Sequence, residues 1–297
     1  MAKVTPTTKR PAPAPTAGVP AIVKPQVSLP ATVGDMPDWM KGEQVTGTET
    51  LGRYIVPPRV KIIQPLTRAP LIEQFDPGAA IIVPQAVLIA DVARADNGRP
   101  QRMGTPFFAT PVLFYPEWVA WNPLETRGSL PAVRGRTMDP NSQLAAKARD
   151  SALWAEPCPE MPEKNIRYCE HLNFILVLYG IEAVGMTPVV VSFSRGEHRT
   201  GTNFAALIKM RKASIFGGVY QFTAGWRENA KGQWFGFDVG NPSAESSVSP
   251  WVQDHELFKA LEALHNQYSE AYTAGLVQAD YDDGSDDTPV DAAPGEF

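Results

Sequence analysis

Apolar and polar residues alternate with a period of two along much of the middle of this chain, as expected of strands with one buried face. Arg59-Val60-Lys61-Ile62-Ile63 alternates charged and apolar residues before turning apolar on both faces, which predicts a half-buried strand. Ala79 to Val92 is apolar and β-branched but broken by Pro84, so it reads as two strand pieces or one bulged edge strand. Pro106 to Trp121, the most aromatic stretch, reads as three pieces punctuated by Pro111 and Pro116. Leu172 to Ala183 and Met186 to Phe193 predict a buried hairpin with Gly185 near its turn. Tyr220, Phe222, Ala224 and Trp226 alternate, as do Phe235, Phe237 and Val239, predicting a second hairpin across Arg227–Gly232.

The period changes to helical in two places. Thr202 to Ala213 has apolar residues at 204, 207 and 208, and Lys209, Arg211 and Lys212 towards an end that favours cations. Pro250 to Thr273 places Leu257, Leu261, Leu264, Tyr268 and Tyr272 on one face, with Ser249 as N-cap, Pro250 at the first helical position and Gly275 as the stop. Asn122 to Arg167 reads as an irregular insertion with a short helical piece, Ser142 to Leu153. The pattern predicts a mainly β fold with two helices, a β-rich α+β protein. A barrel or highly curved sheet with long insertions and a C-terminal helix suits it, although strand pattern alone also allows a sandwich.

Composition changes the picture at the ends. Residues 1–30 hold seven prolines and four basic residues (Lys3, Lys9, Arg10 and Lys24) with no acid, predicting a disordered, Pro-rich basic arm over 1–34. Trp39-Met40 reads as an anchor in the lead-in to a single domain spanning 35–275. No apolar stretch follows the early charges as a signal peptide would need, and no run of eighteen apolar residues could span a membrane. Two cysteines make no disulfide framework, so a reducing, cytoplasmic location is the default expectation. At the other end 276–297 is expected to be disordered and acidic. Residues 280–297 (DYDDGSDDTPVDAAPGEF) carry seven carboxylate side chains and no cation, and they end in Phe297. The formal net charge of −5 therefore hides a nearly neutral body.

A terminal aromatic ring beside its own carboxylate and Glu296 makes a detachable ligand for an apolar pocket flanked by Lys or Arg. The segment resembles the C-terminal tails of bacterial and phage single-stranded DNA-binding proteins of the replication type. That resemblance implies an OB-like body that binds single-stranded DNA without sequence preference, in replication or recombination. It also implies a tail whose Asp282, Asp283, Asp286, Asp287, Asp291, Glu296 and Phe297 recruit replication proteins. A plain acidic solubility tail is the simpler reading, and a phage virion or assembly protein is the rival function. The host-cell cytoplasm would be the compartment of a phage-encoded protein.

A single-strand surface needs cations to follow phosphates and aromatic faces on which bases stack. Arg59 and Lys61 share a face of the first strand. Phe193, Arg195, Arg199, Lys209, Arg211 and Lys212 form one cationic run, and Trp226, Arg227, Lys231 and Trp234 crowd one hairpin end. Phe107, Trp118 and Trp121 are further candidate platforms, although aromatics are more often core than ligand surface. Cys158, Cys169 and His171 are a weak zinc candidate that lacks the short Cys-x₂₋₄-Cys clip; two buried thiols explain them as well. No G-x-S-x-G, H-E-x-x-H or P-loop motif is present, so neither an enzyme nor a cofactor is expected. Homo-oligomerisation is left open.

Overall fold

The computed structural model describes residues 56–281, apart from 68, 127–128, 151–155 and 230–231. The basic arm, the Trp39-Met40 anchor, Lys231 and the acidic residues from Asp282 onward lie outside the described residues. Twelve strands form one sheet, curved into a nearly closed barrel and joined by four helices. The β-rich α+β class expected from the pattern is what is observed, with more strands than the pattern announced.

Two long strands make the spine. β6 (Phe107–Trp121) and β9 (Met161–Tyr179) run antiparallel from Phe108↔Tyr179 to Trp121↔Arg167. β9 continues through β10 (Val189–Ser194) to β1 (Arg59–Ile62), β2 (Ala80–Val83) and β3 (Val87–Ala90). β1 and β10 pair in parallel, at Arg59↔Val190. On its other side β6 passes to β11 (Tyr220–Asn229), which pairs with β12 (Gly232–Gly240) and with β5 (Pro100–Gly104); β5 pairs with β4 (Val92–Arg94).

Pro106 to Trp121 is thus one strand and not three pieces. Two features admit its prolines. The β6–β9 register shifts between Pro111 and Leu113, a bulge. In addition, β11 pairs only with residues 107–109 of β6, and β7 (Val133–Thr137) only with 118–121. Across 111–117 that edge has no strand whose ladder a proline could break. Helix α4 (His255–Thr273) covers it instead, with His265 Nδ1 2.7 Å from the Val112 carbonyl oxygen.

Asn122–Arg167 is not irregular either. It extends the spine: β7 adds to β6, β8 (Glu156–Cys158) adds to β9, and α2 (Gln143–Arg149) packs on both long strands. Ser142 caps α2, its Oγ accepting from Ala145 N at 3.1 Å. Two further short elements escaped the sequence pattern. One is α1 (Leu71–Gln74); the other is the β4–β5 ribbon, whose β5 is exposed at four of its five residues.

Alternation along β9 sorts the core. Leu172, Phe174, Leu176 and Leu178 face inward with Phe107, Phe193, Phe222 and Phe237, where Phe204 of α3 (His198–Met210) plugs the barrel. Cys169, Ile175 and Val177 face outward beneath Leu261 and Tyr268 of α4. α4 starts at His255 behind an Asp254 cap whose carboxylate accepts from Glu256 N and Leu257 N, not at Pro250 behind Ser249. Residues 250–252 instead run antiparallel to 217–219. The ordered body also continues past 275. Val277, Ala279 and Tyr281 are buried against the outer face, because alternate apolar side chains there have α4 and β9 to pack on.

Gly201 is where α3 meets β10: an added Cβ would stand 2.7 Å from Phe193 Cβ, an atom that cannot swing away. Alanine's better helix propensity is worth about 1 kcal/mol, whereas overpacking costs about 1–3 kcal/mol. Gly201→Ala should therefore lower the urea midpoint of unfolding, and an unchanged or higher midpoint would show that α3 and the barrel adjust freely.

Candidate functional site

The outer face of the spine carries a buried polar cluster. Side chains of β6, β9 and β10 that point outward include Glu117, Asn173, His171 and Ser192, and none has a nearby turn to supply partners. Tyr281 supplies them. Its hydroxyl donates to Glu117 Oε2 at 2.9 Å and accepts from Asn173 Nδ2 at 3.1 Å. Ser192 Oγ donates to Asn173 Oδ1 at 2.5 Å. Arg136 of β7 closes the cluster: its Nε lies 2.8 Å from Glu117 Oε1, and its Nη1 donates to Gln278 Oε1 at 3.0 Å. Its Nη2 donates to the Ala279 carbonyl. Burial pushes the Glu117 carboxyl up, against the pull of Arg136, Tyr281 and Asn173.

Cations crowd the same place. The Arg59 and Arg136 guanidiniums lie 5.8 and 5.4 Å from the centre of the Tyr281 ring. His171 stacks obliquely on that ring at 4.7 Å. Burial, followed by the charges of Arg195, Arg59 and Arg136, holds its imidazole well below the ordinary value, so it is neutral. The segment that leads into the acidic tail is therefore pinned among arginines.

The burial of the predicted aromatics decides which can meet a ligand. Phe107 stacks on Phe222, and Phe193 packs against Phe174 and Phe204, both deep in the barrel. Trp118 lies under α2 with Arg149 over its ring, and Trp121 packs on Tyr281 while its Nε1 donates to Cys169 Sγ at 3.0 Å. These four are core, not stacking platforms: Phe107 and Phe193 line the barrel interior, while α2 covers Trp118 and Tyr281 covers Trp121. Trp226 is half-buried beneath Arg102, and Trp234 is half-buried with Nε1 donating to Glu197 at 3.0 Å.

Several predicted cations have work inside the fold. Arg227 pairs with Asp238 at 2.6 Å. Arg211 donates to the Pro250 and Val219 carbonyls and to Asn241 Oδ1. Arg59 and Lys61 share the outer face as expected, both half-buried. Arg195 adopts a left-handed conformation (φ 49°) where β10 ends, and Arg199, Lys209 and Lys212 are exposed on and just beyond α3. The structure thus groups Arg59 with Arg195 near Tyr281, and Lys209, Arg211 and Lys212 at the end of α3.

The zinc candidate does not assemble. Cys169 Sγ and His171 Nε2 are 3.4 Å apart on the outer face, but Cys158 packs with Ala120 and Ile166 and donates to Glu160 Oε2. Among the described residues no group of three or more His, Cys, Asp or Glu could hold a metal ion. A shallow pocket beside Trp121, lined by Pro123, Leu124, Leu130, Arg167 and Arg195, offers about 20 Å³, enough for a water and too little for a phenyl ring or a base.

A profile of the Pam3 phage gp34-like protein family matches residues 30–273, more than three-quarters of the chain. The chain belongs to that family. It is accordingly placed among phage proteins. No curated protein and no solved structure matches it. No helix among the described residues is long and apolar enough to cross a membrane.

Sequence reading of this family member missed Arg136, Arg102 and Trp251. The alternation Val133-Arg134-Gly135-Arg136-Thr137 was the available signal for the first. Arg102 sits in a ribbon without an apolar face, and Trp251 was absorbed into a helix placed five residues too early.

Two outcomes follow from the cluster. Tyr281→Phe leaves buried Glu117 and Asn173 short of a partner and should cost about 1–3 kcal/mol in denaturant unfolding; a change under about 0.5 kcal/mol, an ordinary surface value, would mean that the hydroxyl is not a partner. His171 binds its proton more readily unfolded than folded, so the stability it contributes is present above its ordinary value of 6.5 and is lost as pH falls towards its depressed folded value. Against His171→Gln, the wild type should lose up to about 1.4 kcal/mol per pH unit on acidification below 6.5. Parallel stability curves for the two proteins would contradict a buried neutral imidazole.

Proposed function

We propose that this protein binds single-stranded DNA without sequence preference in phage replication or recombination, and that its acidic C-terminal tail competes with the DNA and recruits replication proteins. The observation that carries this reading is the seating of Tyr281, the second residue of the acidic stretch, beside Arg59 and Arg136. A polyanion that starts among cations competes locally with any phosphate chain those cations attract. The exposed cations of α3 extend the basic surface, and the half-exposed Trp226 under Arg102 offers an aromatic contact. The role is binding, not catalysis.

The test compares the full chain with one ending at Tyr281, which keeps the polar cluster intact. Both are titrated with oligo-dT at several salt concentrations. Saturable binding should weaken with salt at a log–log slope of about −0.7 per phosphate neutralised, and the shortened chain should bind more tightly. Flat titrations of both proteins at low salt, with assembly into large particles, would replace this reading with a virion component.

A further inference from the structure

Trp251 is the one exposed tryptophan among the described residues, 41% exposed. Its surroundings hold it rigid. Val219 N donates to the Pro250 carbonyl at 3.0 Å and Val252 N to the Gly217 carbonyl at 3.1 Å, so the backbone is strapped on both sides of the indole. Ser249 Oγ accepts from Trp251 N at 3.1 Å. Behind the ring lies the Arg211 guanidinium, 5.0 Å from the Trp251 centroid and 4.1 Å from that of Tyr220.

Gly218 makes that close approach possible: a Cβ there would come within 2.2 Å of Arg211 Nη1 and 2.9 Å of the Tyr220 hydroxyl. Arg211 is held by its three acceptors, so the Tyr220–Arg211–Trp251 stack is fixed from below. Exposed Lys209 and Lys212 flank Arg211 in the chain, and Lys212 takes a left-handed conformation (φ 52°) where α3 ends. The nearby Asp254 carboxylate is committed to capping α4.

We infer that Trp251 is a base-stacking platform for an unpaired nucleobase, with Lys209 and Lys212 taking the adjoining phosphates. This rests on the single-strand reading above and names the place where the strand lies. A flat ring backed by a fixed guanidinium is ordered before any ligand arrives, so stacking incurs little further ordering cost. Any base presents a suitable π-face, which matches binding without sequence preference.

Oligo-dT is titrated into the full chain, Trp251→Phe, Trp251→Ala and the double variant Lys209→Ala/Lys212→Ala, following intrinsic fluorescence and, separately, the anisotropy of a labelled oligo-dT. Trp251→Ala should weaken binding about tenfold to a hundredfold. Trp251→Phe, which keeps a ring, should bind within a few-fold of wild type while losing much of the fluorescence quench. The double lysine variant should lower the salt slope by about 1.4. Wild-type affinity and a full quench in the Trp251 variants would overturn the inference and leave the single-strand reading standing. Absence of wild-type binding at low salt would overturn both. Should Trp251→Ala fail to fold, the quench amplitude of Trp251→Phe decides alone.

Discussion

The pairing of β6 with β9 is the constraint on which the rest of the structure depends. Thirteen paired positions fix the register of two strands whose faces are both covered, so every side chain along them is committed to one side. A slip of one residue would turn Phe174 and Leu176 out to α4 and bring Asn173 and His171 into the barrel. The inner face demands aromatics that interlock around Phe204. The outer face tolerates Glu117, Asn173 and His171 only because β7, α4 and the chain after α4 return to cover and satisfy them.

That division explains what could be read in advance. The β11–β12 hairpin was legible because its alternation is uninterrupted and Trp226↔Phe235 falls where the pattern puts it. α3 was legible from Phe204, Leu207 and Ile208, and α2 within the short helical piece Ser142 to Leu153. β6 was broken by its prolines on paper, since a sequence does not reveal that the 111–117 edge faces a helix. β7 and β8 were invisible as short polar strands, because they gain their stability from long neighbours and not from their own pattern. Trp118 and Trp121 read equally well as exposed or buried while those neighbours were unknown, and once β7 and α2 are in place they can only be core.

The candidate surface was legible in type and less so in membership. Cations at Arg59, Arg195 and the end of α3 were singled out by charge, and Arg59 shares a face with Lys61 as expected. The aromatic partners were drawn from the apolar runs, which is where core residues concentrate. The tryptophan with the most open ring lies outside any such run, in a strap between strand and helix. Its exposure follows from Pro250 and the Asp254 cap, which hold residues 250–252 against 217–219 instead of letting them start α4.

One physical argument joins the two ends of α4. Before the helix, the chain presents Trp251 over Arg211; after it, the chain seats Tyr281 between Arg59 and Arg136 and turns acidic. In both places an arginine supports an aromatic ring, but the two rings differ in what they leave free. Tyr281 is buried and its hydroxyl is consumed by Glu117 and Asn173, so it anchors. Trp251 keeps an open face, so it can receive. An anchor and a platform are different tasks, and the proposed competition between tail and DNA would use both. α4, docked through Leu261 and Tyr268, lies between the two in the chain and holds Tyr281 and Trp251 in a constant relation.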